Sequence, residues 1–206
     1  MAMSIAELST IHRLNPEDNG LCLTPVEFDA VEDWDRDYTF ELVQGVVIVS
    51  PAPGVGERKP NDVLGHWLQT YQESHPDGTC IDDTLPEQYI AVDNGRRRAD
   101  RAIWVGLGRD PDVERDVPQI AIEFVSERRR DRHRDYVLKR QEYREAGVVE
   151  YWVIDRFERS VTVYGADTEN KFNENQSVHS ALLPGFELSV EQLMKAIDRY
   201  QPSSHK

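Results

Sequence analysis

The chain has 206 residues, a formal net charge of −14, two cysteines and no apolar run approaching the ~20 residues needed to cross a bilayer. That length suits one well-buried domain, and the negative charge excludes a protein that coats nucleic acid through a general basic excess. The charge is uneven, however. Met1 to Phe40 holds nine acids and two bases, whereas Arg96 to Arg144 holds fourteen bases and ten acids, enough for a local grip on a phosphate backbone.

Residues 1–23 lack periodicity and read as an extension without a secretory leader. Cys22 and Cys80 have no metal-type spacing and read as reduced thiols of a cytoplasmic protein. Thr24, Pro25 and Glu27 open a helix over 25–35, with Val26, Ala30 and Trp34 on one stripe. Phe40–Val43 and Val46–Val49 flank Gly45 as a hairpin or bulged strand, and Ser50–Gly54 is a loop. Residues 61–74 regain helical spacing through Val63, Leu64, Trp67, Leu68 and Tyr71, until His75-Pro76-Asp77-Gly78 stops them.

One or two strands follow over 79–92, then a tight turn at Asp93-Asn94-Gly95 and a strand from Arg98 to Val105. Gln119–Val125 is an apolar run of the buried-strand type. A charged helix over 131–146 ends at Gly147, strands follow at 149–154 and 161–164, and Ser189 caps a last helix to about Arg199. Strand, helix, strand from 119 to 154 predicts a parallel crossover, hence a mixed sheet with helices on its faces: an α/β (α+β) fold.

Two carboxylates lie in strands expected to be buried. Asp100 follows Arg96-Arg97-Arg98-Ala99, and Glu123 interrupts Ile120-Ala121-Ile122-Glu123-Phe124-Val125. An ionised carboxylate in such a place needs a cation or donors. Either an arginine pairs with Glu123, or Glu123 is an oxygen ligand for Mg²⁺, which takes one or two carboxylates with water and substrate phosphate. Lys139 shares a helical face with Asp135 and Tyr143. It is either a solvated partner of Asp135 or an amine that orients a metal-bound water. Arg96, Arg97 and Arg98, with Arg128, Arg129, Arg130, Arg132 and Arg134, flank these positions and suit phosphate. Each has the alternative of a solvated, self-paired loop. Trp67, Trp104 and Trp152 read as core rather than as base-stacking platforms. Gly106-Leu107-Gly108 is too short a pattern for a nucleotide loop, and no Cys/His cluster points to zinc.

Phe40-Glu41-Leu42-Val43-Gln44-Gly45 and Ser50-Pro51-Ala52-Pro53-Gly54, then Arg98-Ala99-Asp100, Ile122-Glu123-Phe124-Val125-Ser126, Asp135 to Lys139 and Tyr143 to Asp155, resemble in order the motifs of the Uma-two family of restriction-endonuclease-like proteins. The similarity runs over about residues 24–195. It implies a single restriction-endonuclease-like domain over 24–200, with a short tail at 201–206, in the PD-(D/E)xK nuclease superfamily. It further implies Asp100 and Glu123 as metal ligands, Lys139 in place of the lysine that the usual motif puts at Val125, and Glu41 as an additional acidic residue or a strand-edge ion pair. The implied activity is Mg²⁺-dependent hydrolysis of DNA, with Mn²⁺ as a substitute and a homodimer as a possible assembly. The alternatives are a non-catalytic DNA-binding or interaction module and a phosphodiesterase acting on RNA. Two departures stand out: Ala99 replaces the family proline, and the histidine that follows the Ser-Pro stretch in relatives is missing near Glu57 and Arg58.

Overall fold

The computed structural model describes residues 12–125 and 134–200. The chain divides into two units, one comprising Met1–Ala52 and Asn94–Arg96, the other Pro53–Asp93 and Arg97–Lys206.

The first unit contains β1 (Arg13–Leu14), α1 (Pro25–Asp29), β2 (Asp33–Trp34), β3 (Tyr38–Val43) and β4 (Val46–Pro51). Thr24 caps α1 as expected: its Oγ1 accepts from Glu27 N–H at 3.2 Å, and Glu27 Oε2 accepts from Thr24 N–H at 2.7 Å. The helix nevertheless ends at Asp29, short of residue 35, because strand pairing takes over. Asp33 N–H donates to His12 O and Asp35 N–H to Leu14 O, which sets β2 parallel to β1. Trp34 therefore leaves the expected helical stripe and packs between Phe28 and Phe40, at 5.0 and 5.4 Å between ring centroids. Val26, expected on the buried stripe, is 74% exposed. The β3–β4 hairpin turns at Gln44 and Gly45, both at positive φ, as its two-residue loop demands.

The second unit contains α2 (Val55–Ser74), β5 (Ile81–Val92), β6 (Gly95–Val105, from Arg97 onward in this unit), β7 (Ile120–Phe124) and α3 (Lys139–Ala146). It continues with β8 (Glu150–Asp155), β9 (Ser160–Tyr164), β10 (Glu169–Asn173), β11 (Ser177–Val178), β12 (Leu188–Ser189) and α4 (Val190–Tyr200). α2 begins six residues before the expected position 61 and carries Pro60 inside it. Its true start is Gly54, whose N–H is held by Glu57 Oε2 at 2.9 Å, and one lost backbone bond at Pro60 does not stop it. A wide π-type turn, Arg134–Leu138, leads into α3, and Gly147 at φ 103° ends that helix. The expected helix start at 131 lies outside the described residues.

Strands β10, β9, β8, β7 and β6 neighbour one another in that order, with β5 also paired to β6. β7 and β8 are parallel, from Ile120↔Glu150 to Phe124↔Ile154, with α3 in the connection, so the expected crossover is present. The neighbouring β6–β7, β8–β9 and β9–β10 pairs are antiparallel, giving a mixed sheet. Alternation on β7 divides the core. Ile120 and Ile122 join Leu64 and Leu68 of α2 and Leu193 and Ile197 of α4 on one face. Ala121 joins Tyr143, Tyr151 and Val153 on the α3 face. Trp104 and Trp152 are wholly buried, and Trp67 packs against the first cluster, so all three belong to the core.

Candidate active site

The site is built where the regular alternation of β6 breaks. Arg97 reaches Glu142 on α3, and Ala99 packs in the cluster around Tyr143. Arg101 and Ile103, also odd-numbered, instead face α2 through Asn61 and Leu64. The side chains thus slip by one position between Ala99 and Arg101. Alternation counted back from Arg101 puts Asp100 on the α3 face. The β6–β7 register runs from Ile103↔Ile120 to Arg101↔Ile122, so Asp100 and Glu123 each follow directly on its last pair. Asp100 Oδ2 accepts from the Phe124 N–H at 2.6 Å, tying its carboxylate to β7.

The slip is anchored from beneath. Asn61 on α2 donates from Nδ2 to the Asp100 carbonyl at 2.6 Å and accepts from Arg101 Nε at 2.7 Å. Arg101 also donates to Asn61 O and Thr84 Oγ1, each at 3.0 Å. Burial pulls its guanidinium down to about 10, with Asp62 and Glu87 opposing the shift. Gly65 leaves room for this cation: a Cβ there would lie 2.5 Å from Arg101 Nη2.

Glu123 and Lys139 are each 3% exposed. Lys139 Nζ donates to Glu123 Oε1 and to the Arg98 carbonyl, both at 2.8 Å, and Tyr143 Oη donates to the same Glu123 oxygen at 2.9 Å. Lys139 is therefore not a solvated helix lysine. Lys139 supplies a cation to Glu123 Oε1. The i, i+4 spacing of Lys139 and Tyr143 brings both donors onto one carboxylate oxygen. The pair Asp100 and Glu123 could hold a metal ion in the manner of Mg²⁺, with water and substrate oxygens completing the shell. Among the described residues, no group of three or more His, Cys, Asp or Glu side chains could do so.

The expected phosphate-binding arginines separate. Arg96 grips both oxygens of Asp29 in the first unit, at 2.9 and 2.6 Å. Arg97 is 1% exposed and pairs with Glu142 at 2.5 Å, a structural position. Arg98, half-buried, pairs with Glu87 at 3.0 Å. Arg128 and Arg130, with Arg129 and Arg132, lie outside the described residues. Glu41 stands in β3 of the first unit, opposite Ile48.

Glu87 and Asn61 were not singled out by the sequence. Burial pushes the Glu87 carboxyl up; Arg98 opposes this, while Glu123 and Glu57 reinforce it. The available signal was Pro86, a break inside a strand pattern that often marks irregular pairing. Glu150, a third carboxylate in a buried strand, is structural. It accepts from Trp152 Nε1, Ser180 Oγ and the Ala181 N–H at 2.8–2.9 Å.

No curated protein matches the chain. Among solved structures, it is similar to one described as a "putative nuclease belonging to DUF820 from Anabaena variabilis ATCC 29413", at 16% identity and a TM-score of 0.67, covering 85% of this chain and 99% of the other. That likeness agrees with the restriction-endonuclease-like fold expected from the motifs. The profile of the Uma2 family, described as "Putative restriction endonuclease", matches residues 25–191. The chain, through a match that spans most of its length, belongs to the Uma2 family.

Proposed function

We propose that this protein is a metal-dependent endonuclease that hydrolyses phosphodiester bonds in DNA. The observation that carries the reading is the buried Glu123, bonded to Lys139 on α3 and followed in β7 by Phe124, whose N–H donates to the Asp100 carboxylate. Family membership and the family's description support the same chemistry.

In this reading Asp100 and Glu123 hold one Mg²⁺, or Mn²⁺ in its place. The donor set fits, because Mg²⁺ commonly takes one or two carboxylates and keeps water and phosphate oxygens for the rest. Such an ion lowers the pKa of a bound water and offsets charge on the scissile phosphate. Lys139, fixed at Nζ by Glu123 and the Arg98 carbonyl, orients the attacking water and stabilises developing negative charge. Tyr143 holds Glu123 in a single orientation. Arg98, the half-buried arginine next to this cluster, contacts a substrate phosphate.

The test is cleavage of plasmid, linear duplex and single-stranded DNA, and of RNA, by wild type and Asp100→Asn, in Mg²⁺, Mn²⁺ and EDTA. Wild type is expected to cut DNA with either metal, and EDTA or the substitution to abolish cutting. No cleavage of any substrate, with no metal-dependent rise in melting temperature, sinks this reading. It leaves a non-catalytic module of the same fold, a reading favoured by the carboxylate partners already held by Arg96, Arg97 and Arg98.

A further inference from the structure

Resting on the nuclease reading, we propose that Glu87 is a built-in competitor for the substrate phosphate: its carboxylate occupies the Arg98 guanidinium until a backbone phosphate displaces it.

Glu87 meets the Arg98 guanidinium at two points. Arg98 donates from Nε to the Glu87 backbone carbonyl at 3.4 Å, and its Nη2 stands 3.0 Å from Glu87 Oε2. Carbonyl and carboxylate of the same residue thus meet one guanidinium. Glu87 lies within β5 at φ 55°, a left-handed conformation that a non-glycine residue seldom adopts inside a strand. Such local strain persists where surrounding interactions over-determine it. The Tyr89 ring lies under the guanidinium carbon at 6.0 Å.

The placement matters for chemistry. The Arg98 carbonyl accepts from Lys139 Nζ, which also holds Glu123. Backbone and head of Arg98 are therefore tied to different carboxylates, Glu123 through Lys139 and Glu87 directly. Both members of the Arg98–Glu87 pair keep about a quarter of their side-chain surface exposed (24% and 23%), so an incoming phosphate can reach them. A guanidinium recognises carboxylate and phosphate by the same planar fork of donors, which makes exchange between the two chemically direct. The Glu87 carboxylate on Arg98 also stands in the way of a phosphate that does not displace it. The expected consequence is selectivity: only a backbone that seats a phosphate on Arg98 comes to rest beside Lys139.

Binding of a labelled DNA duplex and a labelled single strand to the full chain, measured by fluorescence anisotropy in EDTA across a salt series, tests this. Glu87→Gln is expected to bind several-fold tighter than wild type, with a salt slope steeper by up to about one phosphate contact. Arg98→Gln is expected to bind more weakly, with a shallower slope, and Glu87→Gln/Arg98→Gln to behave like Arg98→Gln. Glu87→Asp, which keeps the charge and shortens the reach, is expected to fall between wild type and Glu87→Gln, and it guards against a misfolded glutamine variant. Affinity and slope unchanged in both Glu87 variants, or a gain that survives loss of Arg98, overturns the proposal while leaving the nuclease reading intact. No binding of either strand form by wild type and Glu87→Gln alike overturns both.

Discussion

Lys139 Nζ meets Glu123 Oε1 at 2.8 Å, and both side chains are almost fully buried. A helix residue and a strand residue sixteen positions apart thus form one desolvated ion pair. Breaking one side of such a pair leaves an uncompensated charge, at a typical loss of about 3–5 kcal/mol. Lys139→Met should destabilise the fold by that order in urea unfolding. Combining it with Glu123→Gln should recover most of the stability, while cleavage stays absent in both the single and the double variant. A double variant no more stable than Lys139→Met would show that the pair is not the unit that matters.

Glu150 makes a contrasting case. Its three bonds fasten Trp152 and the segment at Ser180-Ala181, away from Lys139 and Glu123. Glu150→Ala should cost about 2–4 kcal/mol, since it leaves buried donors without an acceptor. DNA cleavage per folded molecule should be unchanged, and a selective loss of turnover would place Glu150 in the chemistry instead.

Gly65→Ala sets helix propensity against space. In an open helix alanine would add about 1 kcal/mol over glycine. Here the new Cβ would press on the Arg101 guanidinium at 2.5 Å, and that group is held by Asn61 and Thr84. We expect a net loss of about 1–3 kcal/mol, the usual range for overpacking. Because Asn61 also holds the Asp100 carbonyl, cleavage should fall as well. A stabilised Gly65→Ala protein would mean that Arg101 moves aside freely.

Asp116 supplies a pH test remote from the site. The Arg109 hydrogen bonds, then a backbone bond from Asp112, hold its carboxyl down to about 2, from 3.8. A depressed folded value means that the unfolded chain takes up the proton first as the pH falls. The contribution of Asp116 is therefore complete above about pH 4 and fades as the pH falls toward 2. The melting-temperature difference between wild type and Asp116→Asn should be largest at pH 5–7 and shrink as the pH falls from about 4 toward 2; a constant difference would remove the linkage.

Periodicity and motif order made much of this protein legible. The buried run at 119–125, the helix ending at Gly147 and the strand that follows define a parallel crossover by local pattern and chain length alone. Asp100, Glu123 and Lys139 stood out because charge in an apolar strand, or at a motif position, demands compensation. What local pattern could not decide was the competition between partners. Helix α1 stops at Asp29 because the backbone of residues 33–35 pairs with β1, a contact between distant segments. The slip of β6 at Asp100 depends on Asn61 of α2 meeting Arg101 on the face that α2 covers, and no spacing in β6 encodes it. Among the three consecutive arginines, tertiary structure alone assigned one to Asp29, one to Glu142 and one to Glu87. Sequence determines which groups carry charge and which faces are apolar; only the folded chain decides which opposite charge lies within 3 Å, because ion-pair choice is set by distance and desolvation rather than by order along the chain.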